Sequence, residues 1–366
     1  MTTIGEPGPE RRVRAGTLRW TLLRRGLGRS LRSSVRRSPF VPCRRALGSG
    51  HYGAVDFELH RGELLVFCYR MAGSFHEAED LVQETMLRAW RAQERYDPAR
   101  ASVRTWLYRI ATNVCLSALA ARAHRPLPSG LGPPSVDPGA PLTPAFDVPW
   151  LQPFPDVRVD TALRTDMRLA LVAALQAVPP RQRAVLILRD VLDFSAAEVA
   201  AQLGTTVPAV NSALQRARST TADLGEVEAV REPDDPEVRA VVDRYLRAFE
   251  AADVPALVRL LTDDAVLEMP PVPLWYRGSS DYGLFMRRVF EMRGSRWRTT
   301  RHKASEQPAF AAYAPQPDGG LGLHTFQVLT VSNGRVADNV VFADPRVFEV
   351  FGLPEVLSIN KLGPPR

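Results

Sequence analysis

Residues 195–218 read SAAEVAAQLGTTVPAVNSALQRAR, and their punctuation is that of two short helices meeting at a tight turn. Ser195 caps the first helix, with Glu198 three residues on as the partner of a capping box. Gly204 permits the left-handed residue that ends a helix. Thr206 caps a second helix, and Pro208 falls in its first turn, where a missing N–H costs little. Ala200 is small where two helices would cross closely, and Val210 is apolar where the second helix would face the first. That order of small, flexible and apolar residues suits a helix-turn-helix. The outer positions of the second helix, Thr206, Asn211, Ser212, Gln215 and Arg216, are of the kinds that contact bases and phosphates. A helical hairpin in any all-α protein would carry the same local signals, so the surrounding chain has to decide.

The 366 residues allow two or three domains, and the hydrophobic and charged fractions are those of a globular protein. No apolar run approaches the roughly 20 residues of a membrane span. Cys43, Cys68 and Cys115 are scattered and odd in number, which fits a reducing cytoplasm and suggests neither a disulfide framework nor a metal site. The net charge of +7 is misleading. Residues 1–50 hold twelve Arg and two Glu, so the rest of the chain carries a net charge of −3. Global charge is therefore no evidence of nucleic-acid binding by the folded part, and local patches must carry that argument.

Residues 1–53, rich in Arg, Gly, Pro and Ser, form a basic extension expected to be disordered. It reads as an inert tail or translated leader in preference to a nucleic-acid-binding arm or a transit-like peptide. Residues 54–123 predict three helices: about 55–72, then 74–95 opening on a Ser74/Glu77 capping box, then 102–123. The middle helix sets Ala78, Leu81, Val82, Thr85, Met86, Ala89 and Trp90 at helical spacing. Its early acids can be a solvated face, helped by a Glu84–Arg88 pair, or a docking surface. The third helix carries Arg104 and Arg109 without an acid and interleaves Trp106 and Tyr108. Charge for phosphates and flat faces for splayed bases suit unpaired DNA; the alternative is that these aromatic and aliphatic residues are core.

Residues 124–158 are a Pro/Gly-rich linker that precludes regular structure and lets the flanking helical units stand apart. Residues 159–224 predict a second helical domain: helices at about 160–177 and 180–190, then the helix-turn-helix. An acidic linker, 225–236, leads to an α+β domain at 237–357, with a tail at 358–366. That domain predicts a long helix at 237–252, short helices and strands, and an Asn333-Gly334 hairpin. Three helices beside a curved antiparallel sheet make a cone with a cavity.

Three motifs occur in order: EAEDLVQETMLRAW (77–90), RTWLYRIATNVCLSALAAR (104–122) and the 178–218 stretch ending in the helix-turn-helix. In them residues 54–224 resemble a bacterial sigma factor of the extracytoplasmic-function type. The order of elements after 237, with YLRAFEAADVPALVRLLTDDAVLEMPP, resembles the SnoaL-like family of the NTF2-like superfamily. The expected fold is thus multidomain, two all-α sigma domains plus one α+β NTF2-like cone.

The resemblance implies partners and sites. Asp80, Gln83 and Glu84 would dock on the clamp helices of the largest subunit of core RNA polymerase, with further contact at the flap region. Arg95, Arg104, Trp106, Tyr108, Arg109 and Asn113 would read and open the −10 element of promoter DNA. Thr206, Val207, Asn211, Ser212, Gln215, Arg216 and Arg218 would read the −35 element. The linker would thread toward the polymerase active-site channel, although it offers only Asp137, Asp147 and Asp156 where family linkers are often acidic. No cofactor or metal is implied, and melting energy would come from binding. In the SnoaL-like family an acid, sometimes with His, abstracts a proton beside a carbonyl; candidates are Asp264, Glu268, His302, His324 and Asp338. Trp275, Tyr276, His302, His324 and Phe326 would line or plug the cone and could admit a small ligand. The likeness to sigma factors with a C-terminal SnoaL-like extension implies control in cis without a separate anti-sigma protein. The competing readings are a bifunctional protein with a cyclase or isomerase domain, and a helix-turn-helix repressor with a ligand domain.

Overall fold

The computed structural model describes residues 57–120, 124–160, 163, 167–222 and 233–357. The basic extension, most of the acidic linker and the tail lie outside the described residues. Three helices come first: α1 (Arg61–Ala72), α2 (Phe75–Ala92) and α3 (Val103–Leu119). Gly73 ends α1 in the left-handed region at φ 72°. Ser74 and Ser102 then cap α2 and α3, their hydroxyl oxygens accepting from the N–H groups of Glu77 and Thr105. The Glu77 carboxylate bonds Arg125 at 2.8 Å, drawing it beyond its own helix. Phe67 and Tyr108 meet edge to face in the core of this unit, beside Cys68 and Cys115.

The second unit comprises α4 (Leu169–Ala177), α5 (Pro180–Leu186), α6 (Ala196–Leu203) and α7 (Val207–Ala222). A π-type turn at Ile187–Val191 prolongs α5. The helix-turn-helix stands as its sequence requires. Ser195 and Glu198 form a reciprocal capping box, Gly204 is left-handed at φ 58°, and Ala200 and Val210 are buried where the helices cross.

The third unit opens with α8 (Pro236–Glu250) and α9 (Val254–Arg259). Strands β1 (Leu261–Glu268) and β2 (Trp275–Arg277) precede α10 (Ser279–Arg293). Then follow β3 (Arg298–Ala304), β4 (Gln307–Pro315), β5 (Leu321–Ser332), β6 (Arg335–Phe342) and α11 (Pro345–Val350). The sheet order is β2-β1-β6-β5-β4-β3. It is mixed and not purely antiparallel, because β1 pairs with β6 in parallel. The sequence reads β2 as a Pro-rich turn; three residues between prolines and a glycine are too few to show a period. Asn333 and Gly334 both take positive φ, making the hairpin turn that joins β5 to β6.

Rings fill the space between the helices and the sheet, where the sequence predicts a cavity. Phe249 lies 5.2–5.6 Å from Phe290, Trp297 and Phe310, each edge to face. Beside them the Tyr245 and Tyr282 hydroxyls bond at 2.5 Å, and the Asn339 amide donates to Tyr282 at 2.8 Å. The ring cluster is therefore what holds α8 and α10 on the sheet. Phe249→Ala should cost about 3–5 kcal/mol of the cone's stability, read by chemical denaturation of the full chain; a loss below about 1 kcal/mol would show that the rings do not carry the packing.

Candidate polymerase and promoter interface

On α2, Asp80, Gln83 and Glu84 share an exposed stripe with Leu87 and Trp90, which recur at the spacing of one helix face. Glu84 bonds Arg88 at 2.6 Å. Trp90 is 62% exposed and Leu87 40%. Helical spacing alone sets Trp90 with the apolar residues of α2, but its spacing is marginal, and among the described residues none covers it. An acid, an amide, an aliphatic and an indole thus form one outward face.

On and before α3, Arg95, Arg109 and Asn113 are exposed, and Arg109 and Asn113 follow each other by one turn. Trp106 is half-buried between Phe57 and Tyr96, with ring centroids 5.7 and 5.1 Å away. Two expected contacts are corrected. Tyr108 is fully buried, with its hydroxyl 3.2 Å from Glu63, so it offers no face to a base. Arg104 bonds Glu63 at 2.8 Å and lies over the Tyr108 and Phe194 rings, which commits its guanidinium to the fold. The residue types of α3 fit DNA, but the helix turns half of them inward.

On α7, Thr206, Val207, Asn211, Ser212, Gln215 and Arg216 are exposed, while Val210, Ala213, Leu214 and Ala217 are buried. Arg218 is the exception. Its guanidinium makes a forked pair with Asp190 at 2.6 and 2.8 Å, bracing α7 against the turn after α5.

The two helical units touch, although the linker is long enough to let them stand apart. Tyr108 of the first unit meets Phe194 of the second edge to face at 5.5 Å. Arg183 on α5 is 2% exposed and crosses the junction. Its guanidinium donates to the carbonyls of Met71, Gln176 and Val178 and to the Gln176 side chain. Burial holds its pKa down at about 10.

The linker is held by the third unit. Ser129 donates both its N–H and its hydroxyl to Glu268, at 3.1 and 3.0 Å. Ser135 N–H donates to the Trp275 carbonyl, and the Trp275 indole N–H to the Gly132 carbonyl. The Tyr276 hydroxyl donates to the Asp137 carbonyl, and Arg288 to the carbonyls of Pro138 and Ala140, at 2.7 Å each. Farther on, the β3–β4 turn exchanges two bonds between Ser305 and Phe154. Met167 and Leu169 N–H groups then donate to Glu306 and Gln307. A sequence rich in Pro and Gly has few side chains to signal such docking; its carbonyls supply most of the contacts.

These contacts reassign the candidate cone residues. Ala265 and Leu267 on β1, with Met269 just beyond its end, join the core under the helices, so Asp264 and Glu268 alternate to the opposite face. Asp338 stands on that same face, opposite Thr330 of β5. Phe326 packs on Phe351 at 4.2 Å, and His302 bonds Thr300 at 3.0 Å and meets Phe326. His324 lies against Trp297, and burial together with Arg293 lowers its pKa to about 4. Trp275 and Tyr276 grip the linker and do not line an open cavity. The five candidate acids and histidines therefore do not converge on one pocket. Among the described residues no helix is long and apolar enough to cross a membrane, and no cluster of three His, Cys, Asp or Glu side chains could hold a metal.

Two all-α units, one ending in a helix-turn-helix, joined to an NTF2-like cone define a sigma factor of the extracytoplasmic-function class, and the chain belongs to that family. Residues 57–125 match the Sigma-70 region 2 model, 168–220 the Sigma-70 region 4 model, and 242–339 the SnoaL-like domain model. The chain is 47% identical over 316 residues to the Mycobacterium tuberculosis ECF RNA polymerase sigma factor SigG, across 82% of this chain and 85% of the relative. It is 28% identical to SigJ of the same organism over 312 residues, 80% of this chain and 92% of SigJ. The crystal structure of SigJ shares the fold, with a TM-score of 0.57 at 24% identity over 81% of this chain and 99% of that one.

Burial raises the pKa of Glu268, outweighing the two Ser129 donors, and also raises that of Asp338. A carboxyl whose pKa is raised in the docked state takes a proton more readily there than in a released, solvated state. Docking through Glu268 should therefore strengthen as pH falls toward its raised value and weaken as pH rises through it. Amide protection across residues 129–140, corrected for intrinsic exchange, should grow on acidification, and Glu268→Gln should flatten the trend. An unchanged trend in that variant would remove Glu268 from the account.

Proposed function

We propose that this sigma factor reaches promoters by opening from the closed form described above. In this reading Asp80, Gln83, Glu84, Leu87 and Trp90 form the docking face for the clamp helices of core RNA polymerase. Trp106, Arg109, Asn113 and Arg95 engage the unpaired −10 strand, and Thr206, Val207, Asn211, Ser212, Gln215 and Arg216 read the −35 element in the major groove. Tyr108 supports Trp106's helix from below, and Arg104 and Arg218 brace the reading elements without touching DNA.

One observation carries the regulatory part. The α3 unit rests against Phe194, just before the helix-turn-helix. Elements centred near −35 and −10 lie roughly two helical turns apart, ~70 Å of duplex. Helix units in direct contact cannot serve both at once. The linker that must extend between them is bound along the third unit by Glu268, Trp275, Tyr276 and Arg288. The SnoaL-like domain thereby takes the role that a separate anti-sigma protein would play, through its linker-holding surface and not through a ligand inside the ring-packed cone. The carboxylates that could have served a cyclase sit on the outer face of the sheet, Glu268 among them holding the linker.

Two outcomes test this. Trp275→Ala with Arg288→Ala, which removes the linker's bonds at Gly132, Pro138 and Ala140 but no DNA contact, should raise run-off transcription by core polymerase roughly tenfold at limiting protein; equal or lower output from a folded variant would contradict closure in cis. Trp90→Ala should weaken core binding by about 2 kcal/mol, roughly thirtyfold, with the fold intact by circular dichroism; unchanged affinity would move the docking face elsewhere.

A further inference from the structure

A crevice of about 500 Å³ opens where the first helical unit, the linker and the second helical unit meet. Its walls are apolar, from Ala72, Leu119, Val178 and Pro179, and its ionisable lining is Glu77, His124, Arg125 and Arg183. Glu77 is already paired with Arg125 at 2.8 Å. Arg183 is buried, and every one of its hydrogen bonds ends on a carbonyl or amide oxygen of Met71, Gln176 or Val178. A buried cation is ordinarily matched by an anion, because removing it from water costs more than neutral acceptors return. Among the described residues no carboxylate bonds Arg183, and the open space beside it is lined by two further bases. The volume lies in the range of small-molecule sites, which combine apolar walls with a few converging polar groups.

We propose that this crevice binds a small amphipathic carboxylic acid, its carboxylate at Arg125 and His124 in the field of the Arg183 guanidinium, whose own N–H groups are already taken, and its apolar body lying against Leu119, Val178 and Pro179. The walls come from three segments that part when the protein opens, so the site exists only in the closed form. The acid therefore stabilises closure and weakens core binding by the factor one plus its concentration over its Kd. This consequence rests on the closed-form reading above; the site itself does not.

The test uses the full chain and sodium decanoate as the probe, with decanol and decyltrimethylammonium as controls for the apolar body and the charge. Decanoate should bind with a Kd below about 1 mM by titration calorimetry, and both controls at least about tenfold more weakly. Ala177 and His124 are exposed at the crevice and tolerate change. Ala177→Trp, which fills the opening, and His124→Glu, which reverses its charge, should each weaken decanoate at least about tenfold and leave transcription without decanoate unchanged. Equal binding of decanol, undiminished binding to Ala177→Trp, or no binding at about 5 mM would overturn the proposal and leave Arg183 a purely structural clip. Binding that meets these marks but leaves core affinity unchanged supports the site and contradicts the closed-form reading.

Discussion

The linker between the two promoter-reading units cannot be in two places. Its carbonyls from Gly132 to Ala140 and the Ser129 N–H and hydroxyl are taken up by Trp275, Tyr276, Arg288 and Glu268 of the cone. Each such bond is worth about 0.5–1.5 kcal/mol net, so the set amounts to a few kcal/mol. That is enough to keep the open form a minor species, and little enough for polymerase and promoter contacts to overcome. The rest of the closed arrangement follows from it. With the linker tied down, Phe194 meets Tyr108, and Arg183 joins the Met71 carbonyl at the end of α1 to the Gln176 and Val178 carbonyls at the end of α4.

The third domain meets the linker through residues on the outside of its sheet, Glu268 first among them. One side of β1 packs Ala265 and Leu267, with Met269 just beyond its end, beneath the helices, and the alternate side presents Glu268. A family scaffold that elsewhere carries proton-transfer chemistry keeps its carboxylates here on the face that meets the linker. Burial raises the pKa of Glu268, the one that holds the linker, which makes the grip sensitive to pH.

Local signals were legible in the sequence because they are settled within a few residues. Ser195 with Glu198, Gly204, and Asn333-Gly334 all do in the structure what their chemistry requires. The buried and exposed sides of α7 follow directly from its period. Long-range choices were not legible. Tyr108 and Trp106 have equal claim to a splayed base until Phe67 and Phe194 close over one of them. Arg218 looks free until Asp190, 28 residues earlier, is folded beside it. Trp90 looks like core because periodicity gives an angle and not a covering partner. The linker's prolines exclude α-helix and sheet but leave room for single 3-10 turns at Pro128–Gly130 and Asp156–Arg158; exclusion of long regular structure is not freedom, and its binding to the cone left no pattern in its own composition.

The most direct measurement is the distance between the two reading helices. Spin labels on Ser117→Cys and Ser219→Cys, exposed positions on α3 and α7 outside the proposed DNA contacts, would be followed by electron–electron resonance in the free protein and in a promoter complex with core polymerase. A single short distance in the free protein that lengthens to ~70 Å, two turns of duplex, on promoter engagement is the result the closed-form account predicts. A distance already long in the free protein, or one that stays short in a transcribing complex, would contradict it.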